Sequence, residues 1–482
     1  MPTEQDPRSA EIAWLPDLLY TSGQFRSNLA LVCDASGRIV KLTAANELRD
    51  EKKIRLPNRA ILPGMINAHS HAFQRVIRGH TEYRTNDQAD SFWSWRVMMY
   101  SAATRLSPED VYDASRMTFM EMALGGITAV GEFHYLHHAP DGKPYDDPNL
   151  LSKEVIRAAN DIGLRIALLR VAYVRSGFQT EPNPRQARFI EADSEKYLLA
   201  VTRLSDELAQ AESDGNSTAW VGVAPHSVRA VPLAYLQDVI EFAGRRNLKV
   251  HMHVAEQPAE VSACVEEYGR SPVALLDTEG LLNQNFTAVH AIHVTPKAIT
   301  SFARSGAMVC ACPTTERNLG DGVVPAAEYF KHGVNICLGT DSHAQVDLFE
   351  DARELEYHLR LQNLERVVLG AESKSDSVAG STGELAGRLF DCATIHGARS
   401  IGASSGALET GKPADFFTVD LNDPSVAGAS RADLLSGIIF SASRAAVREV
   451  FVGGKPIVSE GQHLLQDDVV EKFKELQQRL WG

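Results

Sequence analysis

The sequence predicts an α/β protein, namely a (β/α)8 TIM-like barrel with a small β-sandwich domain built from both chain termini. Three observations predict this fold. Between about Leu62 and Asp341, short β-rich runs alternate with amphipathic stretches, which is typical of βα units that build a parallel sheet. The β-rich runs are continuously apolar, as strands covered on both faces are. Strand-like hairpins lie outside this region, near both ends of the chain.

Eight β-rich runs supply the predicted barrel strands. They are residues 62–68, 127–133, 165–173, 219–225, 248–254, 287–291, 308–313 and 334–341. Eight βα units close most economically into a barrel.

Helix start and stop signals lie between these runs. Ser107, Pro108 and Asp110 form an N-cap, a first-turn proline and a capping-box acid ahead of an amphipathic stretch. Gly163, Gly306 and Gly333 each follow a helical stretch and predict its C-terminal end.

The chain ends predict a separate β domain. Residues 29–42 read as two strands around a Ser-Gly turn, and residues 415–420 and 447–458 read as strands, the latter with a Gly-Gly turn. We therefore expect residues 1–60 and 404–482 to form the β domain and residues 61–403 to form the barrel.

Composition restricts the class of protein and of partner. The 482 residues are 44% hydrophobic and 23% charged, which is ordinary for a globular protein. A formal net charge of −14 argues against a nucleic-acid or anionic-membrane partner. The start of the sequence has no signal-peptide core, and no later stretch has the roughly 18 apolar residues of a membrane span, so we expect a cytoplasmic protein. Six cysteines without a CxxC pair predict buried thiols.

Potential metal ligands and proton carriers follow the predicted strands. Reactive residues of such barrels gather at the C-terminal strand ends. Here those ends carry His69 and His71 (first strand), His226 (fourth), His251 and His253 (fifth), His290 (sixth) and Asp341 (eighth). Three imidazole nitrogens and one carboxylate suit a zinc site that keeps a position open for water.

Each of these signals has an ordinary structural alternative. An isolated HxH can be two unrelated histidines, Asp341 can cap the following helix, and Glu256 can be a solvated loop residue. The coincidence at several strand ends favours the metal-site hypothesis, because the alternatives must explain each strand end separately.

Several motifs carry a resemblance to a known family. The order HSH, HVAE, VHA and GTDSH resembles the amidohydrolase superfamily, in its branch of deaminases that use one metal ion. Longer stretches are similar to the enzymes of that branch that act on N-formimino-L-glutamate: AHSHAFQR, DSFWSWR, EFHYLHH, HSVRAV, HVAEQ and TERNLGDG. The similarity runs from about Leu62 to the C-terminus, and the first fifty residues match only loosely.

The resemblance implies a role for particular residues. The implied metal ligands are His69, His71, His253 and Asp341. The implied catalytic, proton-handling residues are Glu256, His290 and Asp341. The implied substrate-binding residues are Gln74, Arg96, Tyr135, His226 and Arg229. No lysine ends the third or fourth strand, where relatives with two metals keep one, so we expect one zinc ion per subunit, with iron as the alternative. The resemblance also implies a homodimer.

The function that follows is a zinc-dependent hydrolysis. We expect N-formimino-L-glutamate, a dicarboxylate amidine, to be converted to N-formyl-L-glutamate and ammonia in histidine degradation, with Arg96 and Arg229 holding the carboxylates. The alternatives are another deaminase or cyclic amidohydrolase acting on a purine, pyrimidine or imidazolone, and a non-catalytic barrel scaffold. Three points stay open: the roles of His251, His293 and His343, whether SFWSWR forms a lid or a hydrophobic anchor, and discrimination among close substrate analogues.

Overall fold

A computed structural model describes residues 11–83, 91–213, 218–370 and 383–482. The first ten residues of the N-terminal stretch and Asp90 of the DSFWSWR motif lie outside these ranges.

The strands lie in two sheets. In chain order they are β1 Ile12–Thr21, β2 Gln24–Arg26, β3 Leu29–Cys33, β4 Ile39–Ala44, β5 Lys52–Pro63, β6 Met65–Ser70, β7 Ile127–His134, β8 Arg165–Ala172, β9 Ala219–Pro225, β10 Val250–Val254, β11 Phe286–His290, β12 Met308–Ala311, β13 Ile336–Leu338, β14 Phe416–Asp420, β15 Val447–Val452, β16 Lys455–Ser459 and β17 Gln462–His463.

The α-helices lie between these strands and after the last of them. They are α1 Phe92–Ala103, α2 Pro108–Leu124, α3 Leu150–Ile162, α4 Ser194–Ser213, α5 Leu233–Arg246, α6 Pro258–Tyr268, α7 Pro272–Thr278, α8 Pro296–Ser305, α9 Pro313–Leu319, α10 Ala326–Lys331, α11 Leu348–Asn363, α12 Glu384–Cys392, α13 Ile395–Ile401, α14 Leu434–Ser441 and α15 Gln466–Trp481.

The predicted barrel is confirmed. Strands β6 to β13 form one sheet in which each strand pairs in parallel with the next along the chain. A parallel bridge between Ser70 and Asp341 joins the two ends of this sheet. The amide of Asp341 donates to the carbonyl of His69 at 3.0 Å, and the amide of His71 donates to the carbonyl of Asp341 at 3.1 Å. The contact that closes the barrel therefore involves Ser70, the central residue of the HSH motif.

The first barrel strand begins later than the sequence predicts. Leu62 and Pro63 belong to β5, which lies in the other sheet, and the barrel strand starts at Met65. The chain changes sheets at Gly64, which lies against Thr128 of β7: a Cβ at residue 64 would be 2.2 Å from the Thr128 Oγ1. The apolar run is continuous across this point, so hydrophobicity alone does not mark the boundary.

The predicted β domain from both termini is also confirmed. Its sheet has the order β17-β16-β15-β14-β5-β1-β3-β4, with β2 paired to β1. N-terminal β5 pairs antiparallel with C-terminal β14, and the predicted hairpins are β3–β4 and β15–β16. Trp14, Phe416 and Phe451 pack together in its core, with ring centroids 4.4 to 5.6 Å apart. The long strands β1 and β5 were not predicted.

The helix signals are confirmed as well. The Ser107 side chain accepts from the Asp110 amide, and the Asp110 side chain accepts from the Ser107 amide, which makes a complete capping box at the start of α2. Gly163 and Gly306 end α3 and α8 in the left-handed region, with φ of 88° and 72°. Within the described ranges, no helix is both long and apolar enough to cross a membrane.

Gly64 gives a test of how the chain passes between the sheets. Gly64→Ala should lower the free energy of unfolding by about 1 to 3 kcal/mol, because the new methyl group would overlap the Thr128 side chain. Gly244→Ala is the matched control, since Gly244 is exposed on α5 and nothing lies within 4 Å of its added Cβ. Urea denaturation measures both variants, and equal stability of the two would contradict this role for Gly64.

Candidate metal centre

Four side chains from four places in the sequence converge at the C-terminal mouth of the barrel. His69 ends β6, His71 follows it, His253 lies in β10 and Asp341 follows β13. The Nε2 of His69 lies 3.2 Å from the Nε2 atoms of both His71 and His253. Asp341 Oδ1 is 3.2 Å from His69 Nε2 and 3.1 Å from His71 Nε2. All four side chains are buried, and they form a group that could hold a metal ion.

In His71 and His253, the hydrogen bond of the nitrogen that faces away from the centre shows that the nitrogen facing the centre has a free lone pair. His71 Nδ1 lies 2.8 Å from the carbonyl of Phe133, and His253 Nδ1 lies 3.1 Å from the carbonyl of His226. A carbonyl oxygen can only accept, so both Nδ1 atoms carry the hydrogen and both Nε2 atoms are unprotonated acceptors in neutral rings. Acceptors this close to one another and to a carboxylate repel unless a cation lies among them.

Burial favours the neutral, metal-binding form of His69 and His253. Loss of hydration lowers the pKa of His69 to about 3, although hydrogen bonding to Asp341 opposes the shift. Loss of hydration and the neighbouring histidines also hold the pKa of His253 well below its ordinary value. Burial on its own would raise the pKa of Asp341, but its interactions with the adjacent His69, His71 and His290 side chains hold it well below its ordinary value. The group thus offers neutral nitrogens and one carboxylate.

His290 and Glu256 lie beside this group. His290 Nε2 is 3.8 Å from both Glu256 Oε1 and Asp341 Oδ2, and the His290 ring stacks on His253 with 5.5 Å between centroids. On its other side, His290 Nδ1 faces Glu316 Oε1 at 3.3 Å. Burial would lower the pKa of His290, but Glu256, Glu316 and Asp341 raise it to about 10. Burial raises the pKa of Glu256, His290 opposes that shift, and Asp341 adds to it.

Backbone strain is concentrated at the same strand ends. His290 and Asp341 have φ of 67° and 45°, and the adjacent Ala255, Ala291 and His343 also have positive φ. The left-handed region is unfavourable for residues with a Cβ, and such strain typically collects at functional sites. The pairing of the strand ends holds these residues in place.

A cavity opens beside the centre, and every residue implied as a substrate contact lines it. Its walls include Gln74, Arg96, Tyr135, His226 and Arg229, together with His71, His253, Glu256 and Asp341. Helix α1 forms one wall through Phe92, Trp95, Arg96, Met99 and Tyr100. The SFWSWR segment is thus a wall of the cavity in this structure.

Several polar atoms in this cavity have no hydrogen-bond partner among the described residues. Arg229 Nε and Nη1 are buried and unpaired, and so is Gln74 Oε1, while Gln74 Nε2 donates to Tyr135 Oη at 2.6 Å. Buried polar groups are almost always hydrogen-bonded, and a guanidinium pairs well with a carboxylate, so the unpaired donors of Arg229 can bind an anionic group in the cavity.

The three histidines whose roles the sequence left open, His251, His293 and His343, lie outside the group of four. His251 Nε2 bonds the carbonyl and the hydroxyl of Ser400 on α13, at 3.2 and 3.1 Å, so it is a buried, hydrogen-bonded histidine. His293 Nε2 bonds the carbonyl of Asp321 at 2.9 Å. His343 bonds Ser70 Oγ through Nε2 and Thr340 Oγ1 through Nδ1, both at 3.0 Å.

Sequence reasoning missed the role of Glu132. The Ser70 hydroxyl donates to Glu132 Oε2, and the Ala72 amide donates to Glu132 Oε1 at 2.7 Å. This one carboxylate therefore bonds the residues on both sides of His71, through the Ser70 hydroxyl and the Ala72 backbone amide. Burial raises the pKa of Glu132 to about 7, and the hydrogen bonds from Ser70 and Ala72 oppose the shift. Glu132 is the first residue of the EFHYLHH motif, but the motif alone does not show which residues Glu132 contacts.

A second group of potential ligands lies behind His290. It contains His290, Cys312 and Glu316. Burial holds the pKa of the Cys312 thiol well above its ordinary value, so the thiolate that a metal needs is disfavoured there. The group of three histidines and one aspartate is therefore the stronger candidate.

Comparison with known proteins supplies the family. The sequence profile of the Amidohydrolase family matches residues 60–457. A formimidoylglutamate deiminase of Pseudomonas aeruginosa is 39% identical over 415 residues, which cover 86% of this chain and 88% of that protein. A 5-methylthioadenosine/S-adenosylhomocysteine deaminase of Haloarcula marismortui is 26% identical over 96% of this chain and 95% of that protein. The crystal structure of an amidohydrolase from Brucella melitensis has a TM-score of 0.86 and 33% identity, covering 98% of this chain and 100% of that one.

The two histidines of β10 provide a matched test of the centre. His253→Ala should weaken metal binding by at least about 100-fold, because even loss of a residue that only orients a ligand costs about 10- to 100-fold. His251→Ala removes a histidine two residues away on the same strand and should leave metal binding unchanged. Elemental analysis of protein from metal-replete cells measures both, and equal metal content in the two variants would contradict the assignment of the centre.

Proposed function

Since the chain belongs to the amidohydrolase family and is a hydrolase that acts on carbon–nitrogen bonds, we propose that its reaction is the hydrolysis of N-formimino-L-glutamate to N-formyl-L-glutamate and ammonia. One observation carries the proposal. The cavity beside the four converging side chains holds two arginines, Arg96 and Arg229, and two nitrogens of Arg229 are buried without a partner among the described residues. Two guanidinium groups in one cavity suit a substrate with two carboxylates.

The residues present fit a single metal ion. His69, His71 and His253 would hold it through Nε2 and Asp341 through a carboxylate oxygen, a donor set that suits zinc and also admits iron. When bound, zinc supplies a water whose pKa is lowered to about 7, and hence a nucleophile at neutral pH. No lysine lines the described cavity, in agreement with one metal ion rather than a bridged pair.

Three side chains handle the protons of the proposed reaction. A cation bound beside Asp341 would lower the raised pKa of His290, so that His290 Nε2 and Asp341 Oδ2, which lie 3.8 Å apart, would accept the proton of the attacking water. Glu256, with its pKa raised by burial, protonates the imine nitrogen of the substrate and helps ammonia leave. Glu316 accepts from His290 Nδ1, which keeps Nε2 directed at Glu256 and Asp341.

Each of the two arginines is proposed to bind one carboxylate of the substrate. Burial lowers the pKa of His226, and the charges of Arg229 and Arg96 lower it further. Arg229 also lowers the pKa of Glu256 against the effect of burial, so it lies near the proposed proton carrier. Arg96 contacts Tyr173 and Tyr100 on another side of the cavity. Both guanidinium groups lie over the ring of Trp93, at 5.3 and 5.6 Å, so they are close enough to serve one small dicarboxylate. We assign the carboxylate nearest the formimino group to Arg229.

Location and assembly complete the proposal. We propose a cytoplasmic enzyme of histidine degradation that acts as a homodimer, on the basis of its sequence features and its similarity to the deiminase described above. Size-exclusion chromatography with light scattering tests the dimer.

Ammonia release from a panel of substrates tests the activity. The panel contains N-formimino-L-glutamate, guanine, cytosine and 5-methylthioadenosine. Imidazolonepropionate is added with a separate readout, loss of its ultraviolet absorption, because hydrolysis opens its ring without releasing ammonia. The compound 5-methylthioadenosine is included because a relative is named as a methylthioadenosine deaminase. The proposal predicts preference for the formimino compound, since each of the ring compounds offers the two arginines one carboxylate at most. Preferred turnover of any ring compound would overturn it.

Glu256→Gln tests the proton-handling role. The amide keeps the shape of the carboxylate but cannot deliver its proton, so kcat should fall by about 100- to 10,000-fold. Metal content should stay at the wild-type level, because Glu256 lies outside the group of four. Stopped-time ammonia assays and elemental analysis measure the two quantities. Retained turnover at unchanged metal content would remove Glu256 from the mechanism.

Arg96→Lys tests the substrate contact. We expect KM to rise at least about tenfold, because lysine cannot make a two-bond contact with a carboxylate, and tenfold corresponds to about 1.4 kcal/mol. Arg245→Lys on the exposed face of α5 is the control and should leave KM unchanged. Steady-state kinetics compares the two. An unaltered KM in Arg96→Lys would indicate a structural arginine.

A further inference from the structure

Among the described residues, the carboxylate of Glu256 has no hydrogen-bond partner. The only basic side chain in ion-pair range of this proposed proton carrier is His290, whose Nε2 lies 3.8 Å away, too far for a hydrogen bond. Glu256 lies in the short turn between the end of β10 at Val254 and the start of α6 at Pro258. The backbone of this turn therefore determines where the Glu256 carboxylate lies.

The turn that carries Glu256 is strained. Ala255 has φ of 53°, in the left-handed region that is unfavourable for a residue with a Cβ. The carbonyls of Val254 and Ala255 accept from the amides of Ala291 and His293, each at 3.0 Å. These bonds hold the carbonyl groups of the turn. In the part of the chain that the structure describes, the Glu256 amide donates to no backbone carbonyl, so the backbone alone does not complete the turn.

A buried side chain four residues ahead accepts the hydrogen bond of this amide. Glu260, the third residue of α6, is 4% exposed, and its Oε2 accepts from the Glu256 amide at 3.1 Å. An acid at the third helical position often bonds back to the amide of the N-cap residue, and here it reaches one residue further. Burial raises the pKa of Glu260 to about 7, against the opposing effects of Arg229 and of the Glu256 and Ala255 amides.

Arg229 offers a second way in which Glu260 could act. Its charge affects Glu260, but the described side chains show no salt bridge between the two. Glu260 Oε1 and the Arg229 Nε and Nη1 atoms are all buried without a partner among the described residues. The kinetic constants separate the two routes. Arg229 is assigned to substrate binding and Glu256 to proton transfer, so disturbing Arg229 raises KM and disturbing Glu256 lowers kcat.

We propose that Glu260 is a positioning residue: its carboxylate holds the strained turn after β10 and thereby directs the Glu256 carboxylate at the substrate. This inference rests on the role of Glu256 in the proposed function. Glu260 is not among the residues that line the cavity, so it acts through Glu256 and not on the substrate. The role requires an acceptor oxygen and not a charge, because the group that Glu260 bonds is a neutral amide.

Two substitutions separate the acceptor of Glu260 from its charge, in the zinc-loaded enzyme. Glu260→Leu removes the acceptor and should lower kcat about 10- to 100-fold, the scale expected when a catalytic group is misplaced by about 1 Å. KM and metal content should stay within about twofold, since neither Arg229 nor a ligand is altered. Glu260→Gln keeps an oxygen for the Glu256 amide, so its kcat should stay within about threefold of the wild type. Loss of kcat in both variants alike, or a loss confined to KM, would overturn the inference.

Adding Glu260→Leu to Glu256→Gln tests whether Glu260 acts through Glu256. In that background kcat should change less than about twofold, because a proton carrier that is already lost cannot be misplaced. A further loss as large as the one in the wild-type background would show that Glu260 acts on another part of the site, and would overturn the inference. Glu266→Gln, on an exposed residue of the same helix, is the control and should leave kcat unchanged.

Amide hydrogen exchange, followed by mass spectrometry of the peptide that contains Glu256, separates this inference from the proposed function because it needs no substrate. The Glu256 amide should exchange at least about tenfold faster in Glu260→Leu than in the wild type, since it loses its acceptor. Glu260→Gln and Glu266→Gln should exchange like the wild type. Equal exchange in the wild type and Glu260→Leu would overturn the inference.

The substrate assignment can fail without this inference. If the wild type hydrolyses a ring compound of the panel in place of N-formimino-L-glutamate, the proposed function is wrong. The kcat comparison of Glu260→Leu with Glu260→Gln is then made with that ring compound, and together with the exchange result it decides the role of Glu260.

Discussion

The parallel bridge between Ser70 and Asp341 is the contact on which the candidate centre depends. It joins the first and last strands of the barrel, and the two backbone hydrogen bonds around it run from Asp341 to His69 and from His71 to Asp341. Closure of the barrel therefore also brings Asp341 to His69 and His71. A chain that fails to close its barrel cannot bring Asp341, which lies 270 residues beyond His71, to the HSH motif.

Holding this centre together is costly, and the surrounding structure compensates. Three imidazoles and a carboxylate lie out of water at hydrogen-bonding distances, and two of the rings direct lone pairs inward. His290 and Asp341 adopt positive φ beside them. Glu132 bonds the Ser70 hydroxyl and the Ala72 amide on either side of His71, and His343 bonds the same Ser70 hydroxyl. In a protein with a net charge of −14, the arginines of the cavity provide a local positive region that an anionic substrate would otherwise not find.

Much of the fold followed from the sequence because its signals are local. Apolar runs, glycine turns and the Ser107 capping box lie within a few residues of what they specify, and strand ends predicted which polar residues would meet. The sheet change at Gly64 was not predictable, because Thr128, the residue whose side chain leaves room only for glycine there, is distant in sequence. The contact of Glu132 with Ser70 was not predictable for the same reason, since no periodicity links residues 62 positions apart.

X-ray absorption at the zinc edge of the metal-loaded protein tests the central claim most directly, because it reports the atoms around the ion. Coordination by His69, His71, His253 and Asp341 predicts only nitrogen and oxygen neighbours, at about 2.0 to 2.2 Å, with the multiple-scattering pattern of imidazole. A sulfur neighbour at about 2.3 Å would instead indicate Cys312, and the absence of imidazole scattering would show that the ion lies elsewhere; either result would contradict this account.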